Sequence, residues 1–121
     1  MQYEYFYGAQ AEQFSFYRIP KALFTEPNFR ELSTDAKVLY GILLDRMSLS
    51  LKNQWLDAQN KVYIIFTVEE IMDALNCANQ KATRLMVELE KQAGLIERKR
   101  QGLGRPNLIY VKNFAATINS K

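Results

Sequence analysis

The chain has no histidine and one cysteine, Cys77. Without histidine, the Ser-His and Cys-His arrangements that activate a nucleophile cannot be built, and the usual zinc sites lose their nitrogen ligand. A lone cysteine excludes an intrachain disulfide and fits a reducing compartment. Its neighbours Leu75 and Ala78 favour a buried structural thiol over a reactive one. No apolar run reaches the roughly 20 residues that span a bilayer. The opening MQYEYFYGAQAEQ lacks the basic and apolar regions of a signal peptide, and no internal repeat or low-complexity tract appears. These absences describe a cytoplasmic protein that is not an enzyme, with no metal, no cofactor and no membrane partner. Glu69 and Glu70 are the nearest approach to an acid-base pair, and a helix cap accounts for Glu70 while solvation accounts for Glu69.

The 121 residues amount to one domain. The net charge of +3 is unevenly spread. From Asn79 onward there are nine Lys/Arg against three acids, whereas residues 1 to 78 hold seven bases and ten acids. An acidic front and a basic rear suggest a protein that meets a polyanion with one side.

Seven of the fifteen aromatics crowd residues 1 to 19: Tyr3, Tyr5, Phe6, Tyr7, Phe14, Phe16 and Tyr17. The alternation in QFSFYRI predicts a strand, and such a segment must either lie on its own domain or meet another chain. Pro20 suits the first turn of a helix over residues 21 to 24, and residues 25 to 32 read as a connection with room for a short turn of helix. Ser33 or Thr34 caps a long, largely buried helix over residues 34 to 50, with Ala36, Leu39, Tyr40, Leu43 and Met47 on one face. Residues 55 to 66 predict a short hairpin whose second strand contains VYIIF, with Trp55 as a packing anchor. Thr67 to Glu70 is a capping box opening a helix over residues 68 to 75, which Asn76 ends.

The chain is organised around residues 79 to 112, NQKATRLMVELEKQAGLIERKRQGLGRPNLIYVK. Ala82, Leu85, Met86, Leu89 and Ala93 recur at helical spacing, so a helix over residues 79 to 93 buries one face and turns Gln80, Lys81, Arg84, Glu88 and Lys91 elsewhere. Its N-cap is Ala78 or Asn79, and Gly94 ends it in a left-handed conformation. Leu95-Ile96 then opens a strand that meets residues 108 to 111 across a basic loop. Two helices joined by a short turn and followed by a hairpin give the expected fold, an α+β winged helix-turn-helix with an N-terminal aromatic arm.

A helix that reads the major groove is held by its apolar face while residues near its N-terminus present amides and guanidinium groups to base edges. Asn79, Gln80, Lys81, Thr83 and Arg84 occupy those positions. Arg98, Lys99 and Arg100 on one limb of the hairpin, with Arg105 and Asn107 on the loop, suit phosphate or minor-groove contacts that add affinity with little sequence information.

Four segments, FYRIPKALF (16 to 24), LSTDAKVLYGILLDRMSLS (32 to 50), VYIIFTVEEIMDALNC (62 to 77) and NQKATRLMVELE (79 to 90), together resemble the N-terminal domain of the RepA-type replication initiators of theta-replicating plasmids from Gram-positive bacteria. The resemblance covers about residues 14 to 114. It implies a winged helix that binds double-stranded DNA at origin repeats (iterons) as a homodimer, with residues 79 to 93 as recognition helix and 96 to 112 as wing. It further implies dimerisation through the aromatic arm, Tyr5, Phe6, Tyr7, Phe14, Phe16 and Tyr17, and recruitment of host replication factors by a C-terminal domain absent from this chain. The expected organisation is an arm over residues 1 to 19, a DNA-binding domain over 20 to 114, and a linker beginning at 115 to 121. The competing expectations are a winged-helix transcriptional regulator and a protein-interaction winged helix that never touches DNA.

Overall fold

Four α-helices and a two-stranded sheet make up the computed structural model, which describes residues 2 to 115. After a 3-10 turn at Gly8–Gln13 come α1 (Ala22–Thr25), a second 3-10 turn (Pro27–Phe29), α2 (Thr34–Met47), α3 (Val68–Leu75) and α4 (Asn79–Val87). A π-helical turn (Glu88–Gln92) continues α4 into β1 (Ile96–Lys99) and β2 (Leu108–Val111). The linker expected at residues 115 to 121 lies, beyond its first residue, outside the described residues.

The core forms where the apolar faces of α2, α3 and α4 meet the sheet: Leu39, Tyr40, Leu43, Ile71, Ala82, Leu85, Leu89 and Ile109 belong to one buried cluster. Each fully buried leucine or isoleucine there contributes about 1.5 to 3 kcal/mol relative to exposure. Ser33 caps α2 by accepting from the Ala36 backbone N–H at 3.2 Å. The helix stops at Met47, short of the expected residue 50. Ser48 Oγ donates to the Asp45 carbonyl, and buried Ser50 donates to the Tyr63 carbonyl at 2.9 Å, so these side chains pull the chain out of the helix toward residues 61 to 66.

The hairpin expected at residues 55 to 66 is reduced to a single antiparallel bridge, Leu56 to Val62. Asp57 is the cause. Its Oδ1 accepts from the Gln59 and Lys61 backbone N–H groups at 2.9 and 2.8 Å, which forms a tight side-chain-closed turn in place of ladder pairs. VYIIF finds its other partner far along the chain, where Ile64 and Ile109 exchange both backbone bonds at 2.8 and 3.0 Å. Ile64 thus acts as a third, minimal strand at the edge of the two-stranded sheet, in which Ile96 pairs with Val111 and Lys99 with Leu108.

The aromatic segment does not form the expected strand. Phe14, Phe16 and Tyr17 have no ladder partners among the described residues and remain exposed. Among the described residues Phe14 meets the Phe6 ring at 5.9 Å and the Phe16 ring at 6.4 Å, both edge-on. The arm is seated at its root. A Cβ on Gly41 of α2 would come within 2.9 Å of the Arg18 carbonyl oxygen and of Ile19, so the missing side chain lets the chain cross α2 there. At the other end Phe114 packs edge-on against Phe29 at 5.2 Å and near Tyr40 at 5.8 Å. Tyr40 donates to the Lys112 carbonyl at 2.9 Å, and burial pushes its phenol up to about 12.

Candidate nucleic-acid interface

The two helices of the central motif are built differently. In α3, Thr67 Oγ1 accepts from the Glu70 backbone N–H at 3.1 Å while Glu70 accepts from the Thr67 backbone N–H at 2.9 Å, a complete capping box. Asn76 ends the helix with φ 52° in the left-handed region. Glu70 also pairs with Arg46 at 2.9 Å. The Arg46 guanidinium lies 5.2 Å from the Phe66 ring and 5.7 Å from that of Trp55, joining α2 to the start of α3. Trp55 is partly buried against the core in this arrangement, and Cys77 is likewise partly buried.

Asn76, Cys77 and Ala78 make the turn, and Ala78 is the N-cap of α4 with no side chain able to accept. Exposed here are Asn79, Gln80, Thr83 and Arg84. Asn79 Oδ1 accepts from Thr83 Oγ1 at 3.4 Å. Lys81 reaches back to Asp35 in the first turn of α2, at 2.7 Å. Ala82, Leu85, Met86 and Leu89 are buried as their spacing predicts, with Ala93 half-buried.

Glu88 corrects the expectation of a polar outer edge. The helix widens after Val87, and the Ala93 backbone N–H donates five residues back to the Glu88 carbonyl at 3.1 Å. Glu88 is buried there, its carboxylate accepting from the Ser33 backbone N–H and from Ser33 Oγ, the latter at 2.9 Å. The α-helix expected over residues 79 to 93 is therefore α-helical only to Val87. Helical spacing carries no signal for a carboxylate whose partner lies 55 residues earlier.

Gly94, at φ 65°, turns the chain into the wing. Arg98 on β1 is held by Glu90. Its guanidinium donates at 2.8 and 3.0 Å and its backbone N–H at 2.9 Å to that carboxylate. Burial raises the Glu90 carboxyl, and the Arg98 backbone and side-chain donors together with the Arg98 charge outweigh it, leaving the group below its usual range. Lys99, Arg100, Arg105 and Asn107 are exposed. Arg84, Lys99, Arg100 and Arg105 form no ion pair with another described residue. Tyr110 on β2 donates to Asp57 at 3.0 Å, tying the wing to the turn after Trp55. The Lys61 backbone bond first, then those from Tyr110 and Gln59, holds the Asp57 carboxyl below its usual range despite the opposing effect of burial. Burial and the Asp57 partner raise Tyr110.

The expected site residues therefore fall into the exposed start of α4, the exposed outer wing, the arm, whose Tyr5, Phe6, Tyr7, Phe14, Phe16 and Tyr17 are all exposed, and the half-buried, ion-paired Lys81 and Arg98. Sequence reasoning missed the two tethers, Lys81 to Asp35 and Arg98 to Glu90. Glu90 and Arg98 lie eight positions apart across the bend at Gly94, beyond any spacing rule for a helix or a strand.

Helix, minimal strand, helix, turn, helix, strand, basic loop, strand defines a winged helix-turn-helix. A family model described as the N-terminus of replication initiator protein A (RepA) matches residues 15–121. The chain belongs to this family of replication initiator N-terminal domains. It is 32% identical over 92 residues to a 41 kDa protein of Lactobacillus helveticus, an alignment covering 76% of this chain and 26% of that protein. The chain thus spans about a quarter of the length of this relative. Solved structures agree in fold. An N-terminal domain of a DNA binding protein is 39% identical with a TM-score of 0.76, covering 93% of this chain and 85% of its own. A Rep-DNA complex is 39% identical with a TM-score of 0.76, covering 91% and 84%. An MDR initiator is 38% identical with a TM-score of 0.71, covering 97% of both chains. Among the described residues no helix is long and apolar enough to cross a membrane, and no group of three or more His, Cys, Asp or Glu is placed to hold a metal ion.

Proposed function

We propose that this replication initiator domain binds double-stranded DNA at plasmid origin repeats, as a homodimer in the cytoplasm, and performs no chemistry of its own. The observation that carries this reading is the exposure of one end of a helix whose other face is fixed. Leu85, Met86 and Leu89 anchor α4 and its extension in the core, while Asn79, Gln80, Thr83 and Arg84 stand in solvent.

In this reading Gln80 and Arg84 make the base contacts, for which glutamine suits adenine and arginine suits guanine, with Asn79, Lys81 and Thr83 beside them. Each good bidentate contact discriminates by about 1 to 3 kcal/mol. Lys99, Arg100, Arg105 and Asn107 grip the backbone, and Arg98 sets the angle of the wing from its pair with Glu90. The aromatic arm joins two copies, residues 20 to 114 form the DNA-binding unit, and the sequence from 115 leads toward a C-terminal domain that recruits host replication factors.

Selection of bound sequences from a random duplex library tests the reading. Enrichment of a repeated site is expected. On that site Gln80→Ala and Arg84→Ala should weaken binding far more than on random DNA, whereas Arg100→Ala and Arg105→Ala should weaken both and reduce the salt slope by about one per lost phosphate contact. Equal losses on both DNAs for all four variants would remove the division of labour. Deleting the arm should yield monomers by ultracentrifugation, and an unchanged dimer would move the interface elsewhere. Protection of a promoter in place of origin repeats would make the protein a transcriptional regulator.

A further inference from the structure

The tip of the wing carries an apolar side chain that the fold does not use. Leu103 is 99% exposed, the highest value among the described large hydrophobic residues. It is presented by a shaped turn. The Arg105 backbone N–H donates to the Gly102 carbonyl at 3.3 Å, and Gly104 takes φ 77°, close to the roughly +80° that a type II turn demands at its third position. Gln101 Nε2 donates to the Pro106 carbonyl at 2.8 Å, bracing the loop one residue outside that turn. Turn geometry asks for glycine at position 104 and makes no demand for leucine at 103.

Exposed Arg100 and Arg105 flank this tip, and at both Gly102 and Gly104 the space a Cβ would fill is empty. A single leucine between glycines and arginines offers little to a protein partner, since a stable protein interface buries roughly 800 Å² on each side. It suits a narrow, negatively charged groove. There the guanidinium groups meet phosphates on either side, the glycines permit close approach, and one apolar side chain is enough to unstack adjacent base pairs.

We propose that Leu103 is a wedge that enters between two base pairs from the minor groove and bends the DNA bound by the wing. This rests on the DNA-binding reading above and adds to it a specificity determinant that makes no hydrogen bond. A wedge prefers steps that unstack easily, so the wing selects TA or CA/TG beneath its tip.

The test uses the full 121-residue chain and the duplex it selects most strongly from a random library. Anisotropy reports binding, energy transfer between the duplex ends reports bending, and 2-aminopurine at the step under the wing reports unstacking. The wild-type complex should show a bend within about 20 to 90° and a rise in 2-aminopurine fluorescence. Leu103→Ala should lose both signals while binding within about tenfold of wild type, and Leu103→Phe should restore them. Arg105→Ala should bind more weakly yet bend the DNA fully once saturated. A straight wild-type complex, or a Leu103→Ala complex bent and unstacked like wild type, would overturn the wedge with DNA binding intact. A change in the sedimentation of DNA-free protein on Leu103→Ala, with bending unaltered, would make Leu103 a protein contact instead. Absence of wild-type binding in the anisotropy arm would remove the DNA-binding reading itself, and the wedge with it.

Discussion

The helices α3 and α4 lie three residues apart in the chain and are secured by opposite means. In α3 both ends are closed by local residues, with the Thr67–Glu70 box at the start and left-handed Asn76 at the end. By contrast α4 starts at an alanine that cannot cap it and leaves its last α-helical turn for a π turn. Its place is fixed from outside, through Lys81 to Asp35, Glu88 to Ser33 and Glu90 to Arg98. The supporting helix carries its own punctuation. The other leaves its first backbone amides uncapped and its first side chains exposed, and it takes its stability from α2 and the wing.

Glu88→Ala gives the sharpest attack on this contrast. It leaves the Ser33 donors without their carboxylate and should cost about 2 to 3 kcal/mol in urea denaturation, because hydrogen bonds to charged groups are worth about 1.5 to 3 kcal/mol. A loss no larger than that of a cap would mean that α4 does not depend on its distant tether. Thr67→Ala, which opens the box on α3, should cost about 1 kcal/mol by the same measurement. Ala78→Ser should stabilise the protein by up to about 1 kcal/mol, by giving α4 the acceptor it lacks. Ala78→Asp should do the same in thermal melts, helped by the helix dipole, yet weaken duplex binding, with the penalty shrinking as salt is raised. Undiminished affinity of Ala78→Asp for DNA would separate the start of α4 from the phosphates.

The smallest effect belongs to pH. Since the folded Glu90 carboxyl sits below its ordinary value of 4.5, its contribution to stability is fully present above that value and is lost as pH falls through the lowered one. The acid limb of a urea-midpoint titration should therefore flatten in Glu90→Gln. An unchanged limb would assign acid sensitivity to other carboxylates.

Features that need only a few neighbouring residues were legible in the sequence. The Thr67–Glu70 box, the stop at Asn76, the left-handed Gly94 and the buried stripe from Ala82 to Leu89 all obey rules of short range. So did the exposed positions on α4 and the outer wing, because the apolar stripe dictates which residues it leaves outside. Features that depend on distant partners escaped, the two tethers among them. Phe14 to Tyr17 alternates like a strand, but no open sheet edge receives it. The segment around Ile64 has strand composition and spends it on a residue 45 positions later, Ile109. Glu88 sits among polar residues and is buried nonetheless.

By itself the sequence determined the element order, the caps and the basic character of the chain from Asn79 onward, because hydrogen bonds within a turn and the periodic burial of one face are set by adjacent residues. Only the tertiary structure decided which charges are committed and which remain available. Arg98 and Arg100 are indistinguishable in a basic run, yet Arg98 is held by Glu90 and Arg100 stands in solvent. That distinction depends on the π turn and the bend at Gly94, which bring a carboxylate to one arginine and leave the other exposed.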